Sequence, residues 1–214
     1  MNKPFDLVVH GATGFTGRLV VEYLLQRYLA GSGLRWAMGG RNADKLAAVR
    51  DELGAPADTP LVVTDTTNPA SLQALMNATR LVLTTVGPYQ LYGNELVAAC
   101  AASGVDYVDL CGEPAWMRQM IDAHEATAKA SGARIVFSCG FDSIPFDLGV
   151  FMLQKEFAQR FGHAAPPRAR PRAQDEGHLL RWHRRQPQSH HGCSRQPARC
   201  ARSAEKPLLA DARL

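Results

Sequence analysis

The sequence predicts an α/β protein built on a doubly wound parallel sheet, followed by an irregular C-terminal tail. Three observations lead there. An apolar strand over Phe5–Val9 runs straight into Gly11, Gly14 and Gly17 at the mouth of a helix. Short apolar runs then alternate with helical patterns as far as about residue 162, the arrangement that produces a parallel sheet with crossover helices. From His163 the chain contains no Val, Ile, Phe, Tyr or Met, but six of the 13 prolines and five of the seven histidines, a composition too poor in apolar surface to fold as an ordinary domain. The expected division is therefore a nucleotide-binding domain over residues 1–162 and a basic, poorly ordered tail over residues 163–214.

The opening stretch FDLVVHGATGFTG carries the first function. Phe5, Leu7, Val8 and Val9 suit a buried parallel strand, and Leu19, Val20, Tyr23 and Leu24 are expected on one side of the helix that follows. Between them, Gly11 permits the sharp turn, Gly14 removes a Cβ that would collide with phosphates, and Gly17 lets the helix pack against the strand. A helix N-terminus there presents unpaired N–H groups to negative charge. A tight ligand-free turn would need only one of the three glycines.

Charge divides the chain in two. Residues 1–162 hold 13 Lys and Arg against 16 Asp and Glu, whereas residues 163–214 hold 11 against 4. No apolar run approaches a membrane span, and MNKP passes into a strand without a signal-peptide core, so a cytoplasmic protein with no transmembrane segment is expected. The five cysteines form no CxxC pair and read as three buried thiols and two incidental ones, with no metal site.

In order, the first helix runs to about Leu29 and stops at Gly31-Ser32-Gly33. A second strand, Arg35–Met38, ends in Gly39-Gly40-Arg41. An NAD site usually carries an acidic residue at this place for the ribose 2′-OH; Arg41 suits a 2′-phosphate instead, which favours NADP, the alternative being a solvated arginine opening the next helix. Asn42 can cap a helix carrying Leu46, Val49 and Leu53, and Leu61–Thr64 is a third strand with Asp65 at its carboxyl end, on the adenine side. Asn68-Pro69 starts a helix with Leu72, Leu75 and Met76 as its core face. The fourth strand, Leu81–Val86, delivers Gly87-Pro88-Tyr89, where Gly87 and Pro88 either line the nicotinamide side or form a rigid turn. A helix with Leu96, Val97 and Cys100 ends at Gly104, and the strand Tyr107–Leu110 leads into Cys111-Gly112-Glu113. The helix Pro114–Ser131 is expected to bury Trp116, Met120 and Ile121, with His124 at its boundary; Gly132 closes it. Ile135–Ser138 makes a sixth strand, and Phe146 to about Phe161 a last helix, with Ser143 as its expected cap.

GATGFTG at Gly11–Gly17, GGRNADKL at Gly39–Leu46, VGPY at Val86–Tyr89, YVDLCGE at Tyr107–Glu113 and GFDSIPFDLG at Gly140–Gly149 together resemble the saccharopine dehydrogenase-like oxidoreductases, in the branch that includes trans-acting enoyl reductases of lipid biosynthesis. The resemblance covers residues 1–162 and implies a Rossmann-like NADP domain followed by a mixed α/β substrate domain. It implies hydride transfer to or from a C=C, C=N or C=O group of a small-molecule or lipid-linked substrate, and it leaves a homodimer open. The cofactor-binding residues expected are Gly11, Ala12, Thr13, Gly14, Phe15, Thr16, Gly17, Arg41, Asp65, Gly87 and Pro88. Tyr89, Asp109, Glu113 and Asp142 stand on carboxyl-end loops, and none of them is assigned a catalytic role.

The tail has three readings. Its arginines, Arg168 to Arg202, with Trp182 for stacking, could bind nucleic acid, a partner not expected for the domain itself. His190, His191, Cys193 and Cys200 match no structural zinc spacing. The favoured reading is a shift of reading frame between about Pro166 and Arg172: GHLLRWHRRQPQSHH at Gly177–His191 has a back-translation that reads GTFSGGTAASLKATM one base along, and Lys206–Asp211 yields NPFSLT. On that reading the substrate domain is replaced, and the chain binds cofactor with little or no turnover.

Overall fold

The computed structural model describes residues 3–28 and 33–165. Six parallel strands form one sheet in the order β3-β2-β1-β4-β5-β6. They are β1 (Phe5–His10), β2 (Trp36–Gly40), β3 (Leu61–Val63), β4 (Thr79–Thr84), β5 (Asp106–Asp109) and β6 (Ile135–Val136). The helices are α1 (Phe15–Arg27), α2 (Ala43–Glu52), α3 (Pro69–Ala78), α4 (Tyr89–Tyr92), α5 (Asn94–Ser103), α6 (Pro114–Ser131) and α7 (Ile144–Phe161). The doubly wound class is as expected. Strand order reverses between β1 and β4, so their carboxyl ends open the crevice in which such sheets take ligands.

Alternation along β1 splits the core. Leu7 and Val9 pack with Val21 and Leu24 of α1 and with Leu46 and Val49 of α2. Val8 points the other way, to Leu72, Leu75 and Met76 of α3, Leu96, Val97 and Cys100 of α5, and Trp116 of α6. Both Asn caps form: Asn42 Oδ1 accepts from Lys45 N at 2.8 Å, and Asn68 Oδ1 accepts from Ala70 N at 2.9 Å.

Several expectations are corrected. The buried face of α1 is Gly17, Val21 and Leu24, while Leu19 and Tyr23 are about half exposed. The rotation of α1 is set by the approach of Gly17 to the first turn, which the local pattern of apolar residues does not encode. Ile121 is exposed on α6, which buries Trp116 and Ala128. Ser143 occupies the N-cap of α7 without a side-chain capping bond. β4 begins two residues before Leu81 and ends at Thr84, and β6 is only Ile135–Val136. Cys100 and Cys111 are buried but Cys139 is only half-buried.

α7 has no buried residue, and Phe146, Leu148, Val150, Phe151, Met152 and Leu153 are all more than half exposed. The readings placed on Leu29 to Ser32 and on the chain from Pro166 onward, including Trp182, His190, His191, Cys193, Cys200 and the proposed frame change, lie outside the described residues.

Candidate functional site

The turn after β1 is assembled from long-range contacts. Gly11 and Ala12 donate their N–H groups to Gly39 O at 2.9 and 3.0 Å, and Thr85 N donates to His10 O at 3.0 Å. Gly11 has φ +92°, and a Cβ on it would lie 2.7 Å from Val86 Cγ2 and 2.8 Å from Thr85 Oγ1. No other residue type suits both the conformation and the space. A Cβ on Gly17 would lie 2.1 Å from Gly11 O and 2.9 Å from Ala12 Cα, so α1 rests backbone-to-backbone on the turn. Gly14 is the N-cap of α1 and provides no capping side chain, and the first turn contains no acidic residue. α2 and α3, by contrast, are capped by asparagines. The N–H groups at the start of α1 thus have no side-chain cap, the condition in which a helix N-terminus can take an anion.

Above the β1/β4 ends lies a cleft of about 320 Å³ lined by His10, Gly11, Thr13, Gly14, Gly40, Arg41, Asp65, Thr66, Thr67, Thr85, Val86, Gly87 and Tyr92. Six of the expected site residues therefore meet there: Gly11, Thr13, Gly14, Arg41, Asp65 and Gly87. Arg41 is exposed and, among the described residues, forms no ion pair with a carboxylate. Asp65 is committed locally: its Oδ1 accepts from Thr67 N at 2.9 Å and from Thr67 Oγ1 at 2.8 Å. These two bonds, with a smaller effect of the Arg41 charge, hold its carboxyl below the usual value.

The remaining expected residues fall elsewhere. Ala12 and Gly17 are buried, Phe15 is 84% exposed, and Pro88 is exposed at the N-cap of α4, joined to Gly87 by a cis peptide. Thr16 lines a second, mainly apolar cleft of about 380 Å³ with Val20, Leu83, Leu110, Cys139 and Asp142. α1 begins between the two clefts.

Three of the four polar groups on the carboxyl-end loops already have structural work. Glu113 accepts from Tyr89 N at 2.8 Å and Gln90 N at 2.9 Å, capping α4. Tyr89 donates its hydroxyl to Thr84 O at 3.3 Å and accepts from Leu110 N at 3.4 Å; burial pushes its ionisation upward. Asp109 is 2% exposed and accepts from Tyr107 Oη at 2.8 Å, Ser138 N at 2.8 Å and Cys111 N at 3.0 Å. Burial raises its carboxyl above the usual value in spite of those bonds.

Sequence reasoning missed His10, Gly40, Thr66, Thr67, Thr85, Val86 and Tyr92 as lining residues. For His10 a signal exists, a polar residue ending an otherwise apolar strand just before the first glycine. Gly40 ends β2 and Tyr92 ends α4, and Thr66, Thr67, Thr85 and Val86 lie on loops beyond the strands; their meeting at one cleft is not specified by local pattern.

Fold and cleft together define a dinucleotide-binding α/β domain of the doubly wound class. Residues 7–136 match the family described as the saccharopine dehydrogenase NADP binding domain, and the chain belongs to that family. It is 49% identical over 154 residues to the trans-acting enoyl reductase of Mycobacterium leprae, a match covering 72% of this chain and 36% of that protein. It is 48% identical over 158 residues to the trans-acting enoyl reductase of Mycobacterium ulcerans, covering 73% and 37%. The chain thus spans little more than a third of the length of the curated relatives it matches. Among solved structures, apo saccharopine dehydrogenase (L-Glu forming) from Saccharomyces cerevisiae superposes with a TM-score of 0.56 at 16% identity, over 74% of this chain and 32% of that one, which shows the shared fold.

Proposed function

We propose that this chain binds NADP(H) in the polar cleft and serves the cofactor half of an oxidoreductase that reduces, or oxidises to, a C=C, C=N or C=O group. The observation that carries the reading is the convergence of an uncapped helix N-terminus, the Gly11 turn and an unpaired Arg41 on one cleft. The start of α1 would hold the pyrophosphate and Arg41 the 2′-phosphate, while Gly87 borders the same cleft. Family membership supports the choice of cofactor, and the naming of the relatives supports an enoyl group as the acceptor. When bound, NADPH supplies the hydride; the residues described here retain and orient it. The apolar cleft beside Thr16 is the candidate place for the acceptor, which suits an alkyl or acyl chain. The divisions at residue 162, the cytoplasmic location and a homodimer belong to this same proposal.

Titration of the full chain with NADPH and NADH, followed by nicotinamide fluorescence and by quenching of Trp36 and Trp116, tests it. NADPH is expected to bind tighter, and Arg41→Ala to cost it about ten-fold or more, the worth of one charge-assisted contact, with little effect on NADH. Equal affinities and no response to Arg41→Ala would refute the 2′-phosphate assignment.

A further inference from the structure

His10 ends β1 and lines the polar cleft, yet it is only 3% exposed and its Nδ1 has no hydrogen-bond partner. Neither strand neighbour pairs with it. On one side it stands opposite Gly39, which has no side chain; on the other it faces Thr84, whose hydroxyl is engaged by Val86 N at 3.3 Å. A buried imidazole nitrogen left unpaired is costly in a core and ordinary where a ligand completes it. Among the described residues one other buried side-chain atom is in the same state, Thr64 Oγ1, and Thr64 does not line the cleft. The two therefore separate an unpartnered atom at the cleft from one away from it.

We infer that His10 is a cofactor-contacting residue, its Nδ1 forming a hydrogen bond with the phosphate-bearing adenosine half of NADP, the half that shares this cleft with Arg41 and Asp65. The inference rests on the cofactor reading above and adds a contact outside the glycine motif. The neutral ring offers one donor and one acceptor, so Nδ1 can meet a ribose hydroxyl in either tautomer or a phosphate oxygen as a donor. Burial, with a smaller effect from the Arg41 charge, lowers the His10 ionisation to about 4, which keeps the ring neutral at pH 7.

The test measures affinity for NADPH and for adenosine 2′,5′-bisphosphate, together with thermal unfolding, in His10→Leu, His10→Phe, His10→Asn, Thr64→Val and Arg41→Ala. The apolar variants at His10 are expected to weaken both probes about ten-fold while unfolding no earlier than the wild type, because they remove an unpartnered polar atom. His10→Asn carries a polar atom at the same branch point as Nδ1 and is expected to stay within about three-fold of wild type. Thr64→Val is expected to leave both affinities unchanged. Unchanged affinity in His10→Leu and His10→Phe, with Arg41→Ala weakened, overturns the role of His10 and leaves the cofactor reading standing. A loss confined to NADPH overturns the placement in the adenosine half. No binding of either probe by the wild type overturns the cofactor reading itself. Should both apolar variants unfold, a ten-fold loss in His10→Asn overturns the hydrogen bond, and wild-type affinity supports it.

Discussion

Gly17→Ala probes fold and site at once. The added Cβ would sit 2.1 Å from Gly11 O, 2.7 Å from Gly11 C and 2.9 Å from Ala12 Cα, against about 3.5 Å for ordinary non-bonded contact. All three atoms are backbone, so nothing can rotate out of the way. Relief requires α1 to lift by roughly 1 Å, which loosens Val21 and Leu24 against the sheet. Overpacking of this kind costs about 3 kcal/mol at its upper end, and the better helix propensity of alanine returns about 1 kcal/mol. The expected net loss is therefore about 2 kcal/mol, or a fall in melting temperature of about 4–8 °C for a domain of this size. Thermal and urea unfolding followed by circular dichroism measures it. Gly149→Ala is the control, because Gly149 lies within α7 and a Cβ there meets nothing within 4 Å; it is expected to be neutral or slightly stabilising. If Gly17→Ala unfolds within about 0.5 kcal/mol of wild type, the close approach of α1 to the turn is wrong, and with it the geometry of the anion site.

Two further expectations concern pH and surface. His10 has a folded ionisation near 4 against an ordinary 6.5, so the unfolded chain takes up the proton first. Stability is therefore lost as pH falls from about 6.5 to 4, by about 3 kcal/mol in all. Asp109 acts in the opposite sense, since its carboxyl is raised, and Asp6, held down to about 2 chiefly by its bond to Arg35, contributes loss only below its ordinary 3.8. Urea titrations across pH 4–7 should show a shallower slope in His10→Leu than in wild type; identical slopes would refute the assignment to His10. On α7, Phe146 and Phe151 are 67% and 63% exposed, so Phe146→Ser with Phe151→Ser is expected to leave the melting temperature unchanged and to reduce self-association in sedimentation. A lower melting temperature would show that these rings are covered.

What could be read from the chain follows the range of the interactions. α3 was legible whole, because Asn68, Pro69, Leu72, Leu75 and Met76 act within one helix length. Arg41 could be placed because strand β2 and its glycines fix it locally. The rotation of α1 could not, since it depends on Gly17 meeting Gly11 across the turn, and an apolar stripe through Leu19 and Tyr23 looked equally good. Ser143 failed as a cap for a related reason: its backbone lies at φ −126°, ψ −56°, outside the extended region from which a side chain reaches the first-turn N–H groups. The structural role of Glu113 was not legible, because its two partners on α4 lie 23 and 24 residues earlier in the chain.

These commitments bear on what the domain can do. Glu113, Tyr89 and Asp109 each hold a loop or turn in place at the carboxyl end of the sheet, and a group that maintains a turn cannot move to deliver a proton without loosening it. On the proposed reading the polar cleft retains a dinucleotide without any of the three: none of them lines it, although the α4 turn that Tyr89 opens borders it through Tyr92. Its parts are the start of α1, the Gly11 turn and Arg41. Turnover on the proposed reading needs more, an acceptor in the apolar cleft and a proton source, and the nearby helix α7 carries a long apolar run, Phe146 to Leu153 broken by Asp147 and Gly149, with none of its residues buried. On that reading cofactor retention and turnover rest on different parts of the surface and can be measured apart. NADPH binding that responds to Arg41→Ala reports the first, and NADPH oxidation in the presence of an enoyl thioester reports the second.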